Sequence, residues 1–122
     1  MNGNNEIQTF GRSECPVAIA LDLFGDKWTL LVVRDLLLGK ARYSEFAQSQ
    51  EGIPTNILAD RLKRLEQAEV VERKAYCVKP VRYEYELTVK GRDLLPILDA
   101  MANWAEMHVP GSRVFPRWQR PA

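Results

Sequence analysis

The amino-acid sequence predicts a mainly helical α+β domain, and three observations carry that expectation. Apolar residues recur at helical spacing from Val17 to Leu38. Two short helical segments between residues 44 and 67 are joined by a tight glycine-containing turn. From Val70 to Leu87 the period drops to two, before a last helical stretch.

Residues 1–13 are polar, asparagine-rich and without period, which predicts a flexible N-terminal arm. Pro16 suits a first helical position, and Val17, Ala20, Leu21 and Phe24 follow at helical intervals up to Gly25. Asp26 is a plausible N-cap for a second helix over Lys27 to Leu38. That helix is apolar on most sides, hence central and buried, and ends at Gly39.

Arg42 and Tyr43 read as an extended link, after which Ser44 caps a brief helix from Glu45 to Ser49. The Glu51–Gly52–Ile53–Pro54 turn leads into a helix with Thr55 as N-cap. In it Leu58, Leu62 and Leu65 share one face, while Asn56, Ala59, Asp60, Lys63 and Gln67 share the other. This pair of helices is a helix-turn-helix signature.

Val70, Val71 and Tyr76 lie in a β-rich segment, Lys79 and Pro80 form a turn, and Tyr83, Tyr85 and Leu87 alternate with Arg82, Glu84 and Glu86. That pattern is a two-stranded β-hairpin. Thr88 caps a final helix carrying Leu94, Leu95, Leu98, Met101, Ala102 and Trp104 or Ala105, which Pro96 is expected to bend. The ordered domain thus covers residues 14–109, and residues 110–122, with Arg113, Arg117 and Arg120 and no acid, read as a basic extended tail.

Composition narrows the function. A formal charge of +1 rules out binding nucleic acid with the whole surface, so any footprint must be local. Residues 40–92 hold eleven Lys and Arg against eight Asp and Glu. No apolar run is long enough to span a bilayer, and the N-terminus lacks the apolar core of a signal peptide, so a cytoplasmic location is expected. Two distant cysteines and one histidine make neither a zinc site nor a disulfide scaffold, and no cofactor is implied. An enzyme would need a nucleophile with its base, a carboxylate pair in a cleft, a metal cluster or a phosphate loop. The sequence offers none of these, and Glu84 and Glu86 on one strand face read as solvent-facing.

Several fragments together resemble the HxlR-type branch of the MarR-like winged-helix regulators. They are Cys15–Pro16–Val17, Leu23 to Trp28, Ile53–Pro54–Thr55 with Leu58 and Arg61 to Glu66, Val71–Glu72–Arg73, and Tyr83 to Gly91. The resemblance spans Cys15 to about Trp104. It implies a winged helix-turn-helix in which the first and last helices dimerise the chain, the helix after Pro54 enters the major groove, and the hairpin is the wing. Glu69 departs from the family pattern, which often has Gly after the recognition helix.

On that frame the partner is double-stranded DNA, bound by a homodimer at an inverted repeat with half-sites about one helical turn, or a multiple of it, apart. Thr55 and Asn56 open the recognition helix, where free N–H groups favour a phosphate, and Asn56 is suited to an adenine edge. Ala59, Lys63 and Arg64 share the DNA-facing assignment. Asp60 does too, although its charge opposes phosphate, so that accepting from cytosine or orienting Lys63 or Arg64 are its candidate roles. For Arg61, an ion pair with Glu66 or Asp35 competes with a DNA contact. In the hairpin Arg73, Lys74, Lys79 and Arg82 form a basic wing for the backbone, the alternative being an ordinary solvated face.

Cys15 sits at a helix N-terminus, where the dipole lowers a thiol pKa, and some relatives sense oxidants or electrophiles at the matching cysteine. It is therefore a candidate redox sensor, set against the commoner role of a small buried hydrophobe. Cys77, near the wing tip, is the weaker candidate. It would serve as a resolving thiol only where a dimer brings it to Cys15. Phe24, Trp28, Tyr43, Phe46, Met101 and Trp104 are expected in the core in preference to a small-molecule pocket at the dimer interface. His108 is expected on the surface. Competing readings are a winged-helix module answering a small ligand at the dimer interface, or one used for protein–protein contacts.

Overall fold

The computed structural model describes residues 12–112. In chain order it has helices α1 (Pro16–Phe24), α2 (Thr29–Leu37), α3 (Tyr43–Ala47) and α4 (Thr55–Gln67), strands β1 (Val71–Val78) and β2 (Val81–Leu87), and helices α5 (Val89–Arg92) and α6 (Leu95–His108). The winged helix-turn-helix is thus formed, with α3 and α4 as the helix pair and the hairpin as wing. The arm before Arg12 and the tail beyond Ser112 lie outside the described residues. Of the expected arm, Arg12 is tied down: its guanidinium pairs with Asp22 on α1 at 2.5 Å.

The core is built on α2. Val32, Val33 and Leu36 are buried against Phe46 of α3 and against Leu58, Leu62 and Leu65 of α4. Val70, Val71 and Leu87 at the base of the wing close one side, and Leu94 and Leu98 close the other. The i, i+4, i+7 leucines of α4 point inward because that spacing follows one helix face. In the hairpin Val71 pairs with Leu87, Arg73 with Tyr85 and Ala75 with Tyr83, in an antiparallel ladder that breaks register between Ala75 and Cys77. Tyr85 reaches back to the core, its ring edge-on to Phe46 at 6.3 Å.

Helix starts differ from the sequence reading in three places. Asp26 does not sit at the N-cap of α2. Its carboxylate instead accepts the N–H groups of Trp28 and Thr29 (3.0 and 3.1 Å) across the preceding turn, so the helix starts at Thr29. α3 starts at Tyr43 with Arg42 as N-cap, and the capping carboxylate is that of Glu45, which accepts from Ala41 N and Arg42 N at 2.8 and 2.9 Å. α4 has Pro54 at its N-cap and Thr55 as its first helical residue. An extended proline has no side-chain acceptor, so the first N–H groups of α4 are left without a side-chain cap.

The expected bent last helix is two helices. Thr88 caps α5, its hydroxyl accepting from Gly91 N at 3.0 Å, and the chain breaks after Arg92. Pro96 then lies in the first turn of α6, where its missing N–H costs nothing. Gly91 packs against the core end of the wing so closely that a Cβ there would lie 2.2 Å from the carbonyl of Val70.

Of the aromatic and methionine side chains expected in the core, only Phe46 is fully buried; Phe24 and Trp28 are half-buried at the edge of the core. Tyr43 is on the surface, and Met101 and Trp104 are 52% and 62% exposed. α1 is strongly apolar yet buries no residue, with Val17 and Leu21 67% and 57% exposed. Helical spacing records that a face is apolar, but not whether its cover comes from the same chain.

Candidate nucleic-acid interface

α4 and the wing carry the predicted residues, and β1 of the wing packs against α4. Thr55, Asn56, Ala59, Asp60, Lys63 and Arg64 are all exposed on α4, opposite its leucine stripe. The first turn of α4 carries no acidic residue and no side-chain cap, so its N–H groups and positive dipole end stay open to an anion. Tyr43 braces this end from α3, its hydroxyl donating to the Thr55 carbonyl at 2.7 Å.

Charge on α4 is arranged as a chain. Arg61 Nε donates to Asp26 Oδ2 at 2.9 Å and its Nη1 to Asp60 Oδ2, and Arg64 Nη1 approaches the same Asp60 oxygen at 3.6 Å. The ion pair expected for Arg61 exists, but with Asp26 and Asp60 in place of Glu66 or Asp35. Asp35 is spoken for elsewhere: it is buried under Arg34, Lys40 and Ser49. Burial pushes the Asp26 carboxyl upward. The hydrogen bonds from Thr29, Arg61 and the Trp28 N–H outweigh it and hold the group well below the usual carboxylate range.

The wing is less uniformly basic than its sequence suggested. Lys74 is paired with Glu86 at 2.5 Å. Arg73 lies 3.5 Å from Glu66 and stacks over the Tyr83 ring at 4.2 Å. At the tip Lys79 and Arg82 are exposed and make no ion pair among the described residues, so they are the wing's available cations.

One contributor escaped the sequence reading. Arg42 stacks on the Tyr76 ring at 3.7 Å, pairs with Glu84 at 3.5 Å and forms a backbone bridge to Glu84, while Tyr85 N donates to Ala41 O at 2.7 Å. The α2–α3 link therefore holds the middle of the wing. No local signal marks this, because Arg42 and its partners are more than thirty positions apart.

Cys15 is the exposed N-cap residue of α1, and the N–H groups of Ala18 and Val17 hold its thiol below its ordinary pKa. Cys77 is half-buried in the wing, its Sγ 3.7 Å from the Lys79 carbonyl. Between α1, α2 and α6 runs an open groove of about 950 Å³, whose apolar walls include Leu21, Phe24, Leu30, Leu31, Ile97 and Met101. His108 is exposed and packs against Trp104 with ring centroids 5.3 Å apart. No helix among the described residues is long and apolar enough to cross a membrane.

The model of the HxlR-like helix-turn-helix family matches residues 23–113. The chain belongs to that family. This HxlR-like chain is 37% identical over 106 residues to the HTH-type transcriptional regulator YodB of Bacillus subtilis, covering 85% of this chain and 95% of that one. It is similar to the solved reduced form of YodB (TM-score 0.67, 34% identity, 83% of this chain and 100% of that one). It is equally similar to the redox regulator HypR in its oxidised form (TM-score 0.70, 35% identity, again 83% and 100%). The protein is accordingly a transcriptional regulator of the HxlR and MarR-like type with a helix-turn-helix DNA-binding fold.

Proposed function

We propose that this HxlR-like protein is a homodimer that reads an inverted-repeat operator and whose DNA binding responds to oxidation or alkylation of Cys15. The carrying observation is the exposed polar face of α4, with its uncapped N-terminus, next to a wing whose tip cations Lys79 and Arg82 are unpaired among the described residues. In this reading Asn56, Ala59 and Lys63 meet base edges, Thr55 and the first N–H groups of α4 take a phosphate, and Lys79 and Arg82 hold the flanking backbone. Arg73 and Lys74 contribute less, because each already has a carboxylate neighbour.

Homodimerisation is supported by the apolar surfaces of α1 and α6, which the described residues leave uncovered. Sensing is supported by an exposed cysteine whose thiol is held toward the thiolate, the form that oxidants and electrophiles attack. A second reading, a small effector seated between the copies, is favoured by the groove along α1 and α6. Its volume falls within the range of about 300–1,000 Å³ usual for ligand sites.

The test is selection of bound fragments from randomised DNA with the reduced protein, repeated after peroxide or a quinone. A palindrome is expected, lost on oxidation in the wild type and retained in Cys15→Ser. Enrichment of no sequence sinks the operator reading. A palindrome indifferent to oxidant removes Cys15 from the mechanism and leaves the effector groove as the remaining input.

A further inference from the structure

The face of α4 that would meet DNA carries a carboxylate at its middle. Asp60 is one turn beyond Asn56, and its side chain is half exposed. It is not needed to satisfy Arg61, which is largely buried and already anchored on Asp26 at 2.9 Å. Its other partner is Arg64, itself half exposed, 3.6 Å away. Of the three cations on α4, only Lys63 makes no ion pair among the described residues. A negative charge kept on a surface that must approach phosphate weakens every complex, unless one class of complex repays it.

We infer that Asp60 is a specificity-determining residue: it withholds Arg64 from the phosphate backbone and penalises docking wherever the base beneath it cannot donate to a carboxylate. The inference rests on the proposal that α4 reads the major groove. There the cytosine N4 and adenine N6 amino groups donate, whereas guanine O6 and thymine O4 only accept. In one orientation of a base pair the amino group faces Asp60 and replaces the lost water. In the other, the carboxylate meets an acceptor and the complex is lost. Random DNA offers the right donor in register only by chance, so it carries the penalty that an operator avoids. The hold on Arg64 is modest, since an exposed ion pair is worth at most a factor of about five. A phosphate in a well-docked complex therefore displaces it.

Asp60→Asn keeps the shape and the hydrogen bond to Arg61 while removing the charge. Wild type and this variant are each titrated with the selected operator and with an unrelated duplex over a range of salt, and selection from randomised DNA is repeated. The variant is expected to bind unrelated DNA about five- to tenfold more tightly, with the slope of log K against log salt steeper by about 0.9 as Arg64 gains a phosphate. Operator affinity should change less, so the specificity ratio falls. One position per half-site should lose its preference for an amino donor. In Asp60→Asn/Arg64→Gln the extra slope should vanish. Equal tightening on both DNAs with every base preference intact, or an unchanged slope, overturns the inference. A wild type that enriches no sequence instead fails the major-groove proposal itself.

Discussion

Arg61 on α4 and Asp26 in the turn after the first helix are 35 residues apart in sequence and 2.9 Å apart in space. Their pair joins α4 to the turn that precedes α2. Asp26 also accepts the Trp28 and Thr29 N–H groups, so one carboxylate organises a helix start and a tertiary contact together. Neutralising it weakens both.

Asp26→Asn is therefore expected to lower stability at pH 7 by about 1–3 kcal/mol, the usual loss when a charged hydrogen-bonding group is neutralised. The folded pKa lies below the unfolded value, so the carboxylate's contribution is fully present above that ordinary value. It fades as pH falls through it toward the folded one. Urea unfolding at pH 7 and at pH 3.5 checks this: the gap between wild type and variant should be open at the first and narrowed at the second. A gap that widens in acid contradicts it.

Glu69, two residues past the end of α4, has φ 63°, a left-handed conformation that a side chain resists. Ala68, Glu69 and Val70 donate back to Arg64, Glu66 and Leu65, and the Glu69 carbonyl accepts from the Thr88 hydroxyl. The turn is thus held from both sides. Glu69→Gly should keep these bonds, relieve the backbone and stabilise the protein by about 0.5–1 kcal/mol. Thermal unfolding followed by circular dichroism reads this as a higher Tm; a lower one would mean that the Glu69 side chain is worth more than its strain.

At the wing tip, Lys79→Ala and Arg82→Ala should each weaken DNA binding and reduce the salt slope by about 0.9, because each cation releases about one counterion. Lys74→Ala, whose ammonium is paired with Glu86, should change the slope less. Fluorescence anisotropy at several salt concentrations separates the two groups. Equal slopes for all three variants would show that the Glu86 pair opens on DNA.

Cys15, exposed and held toward the thiolate by two backbone N–H groups, should be alkylated by iodoacetamide at neutral pH several-fold faster than the half-buried Cys77. Its rate should level off below pH of about 8.5, where an ordinary thiol is still rising. Peptide mass spectrometry over a pH series measures both sites. Faster labelling of Cys77 would remove the kinetic basis for sensing at Cys15.

Order and type of the elements were legible because each rests on a short-range rule. Pro16 and Gly25 bracket α1, the Leu58, Leu62 and Leu65 stripe marks α4, and Tyr83, Tyr85 and Leu87 mark the second strand. The candidate DNA-facing residues were legible for the same reason, since they are what remains when the leucine stripe is subtracted. The caps were less so. Asp26, Ser44 and Thr55 all have capping side chains, but the carboxylates of Asp26 and Glu45 and the extended Pro54 took different parts.

By itself the sequence determined that this chain forms helices, a helix-turn-helix and a wing, and which face of each is apolar, because side-chain periodicity and turn chemistry act within a few residues. Only the tertiary structure decided where charges and aromatic rings find partners. It brought Arg61 to Asp26, Arg42 to Tyr76 and Glu84, and Lys74 to Glu86, and it left Met101 and Trp104 on an uncovered face. Ion pairs and ring contacts depend on distance in space, and the packing of the core sets that distance.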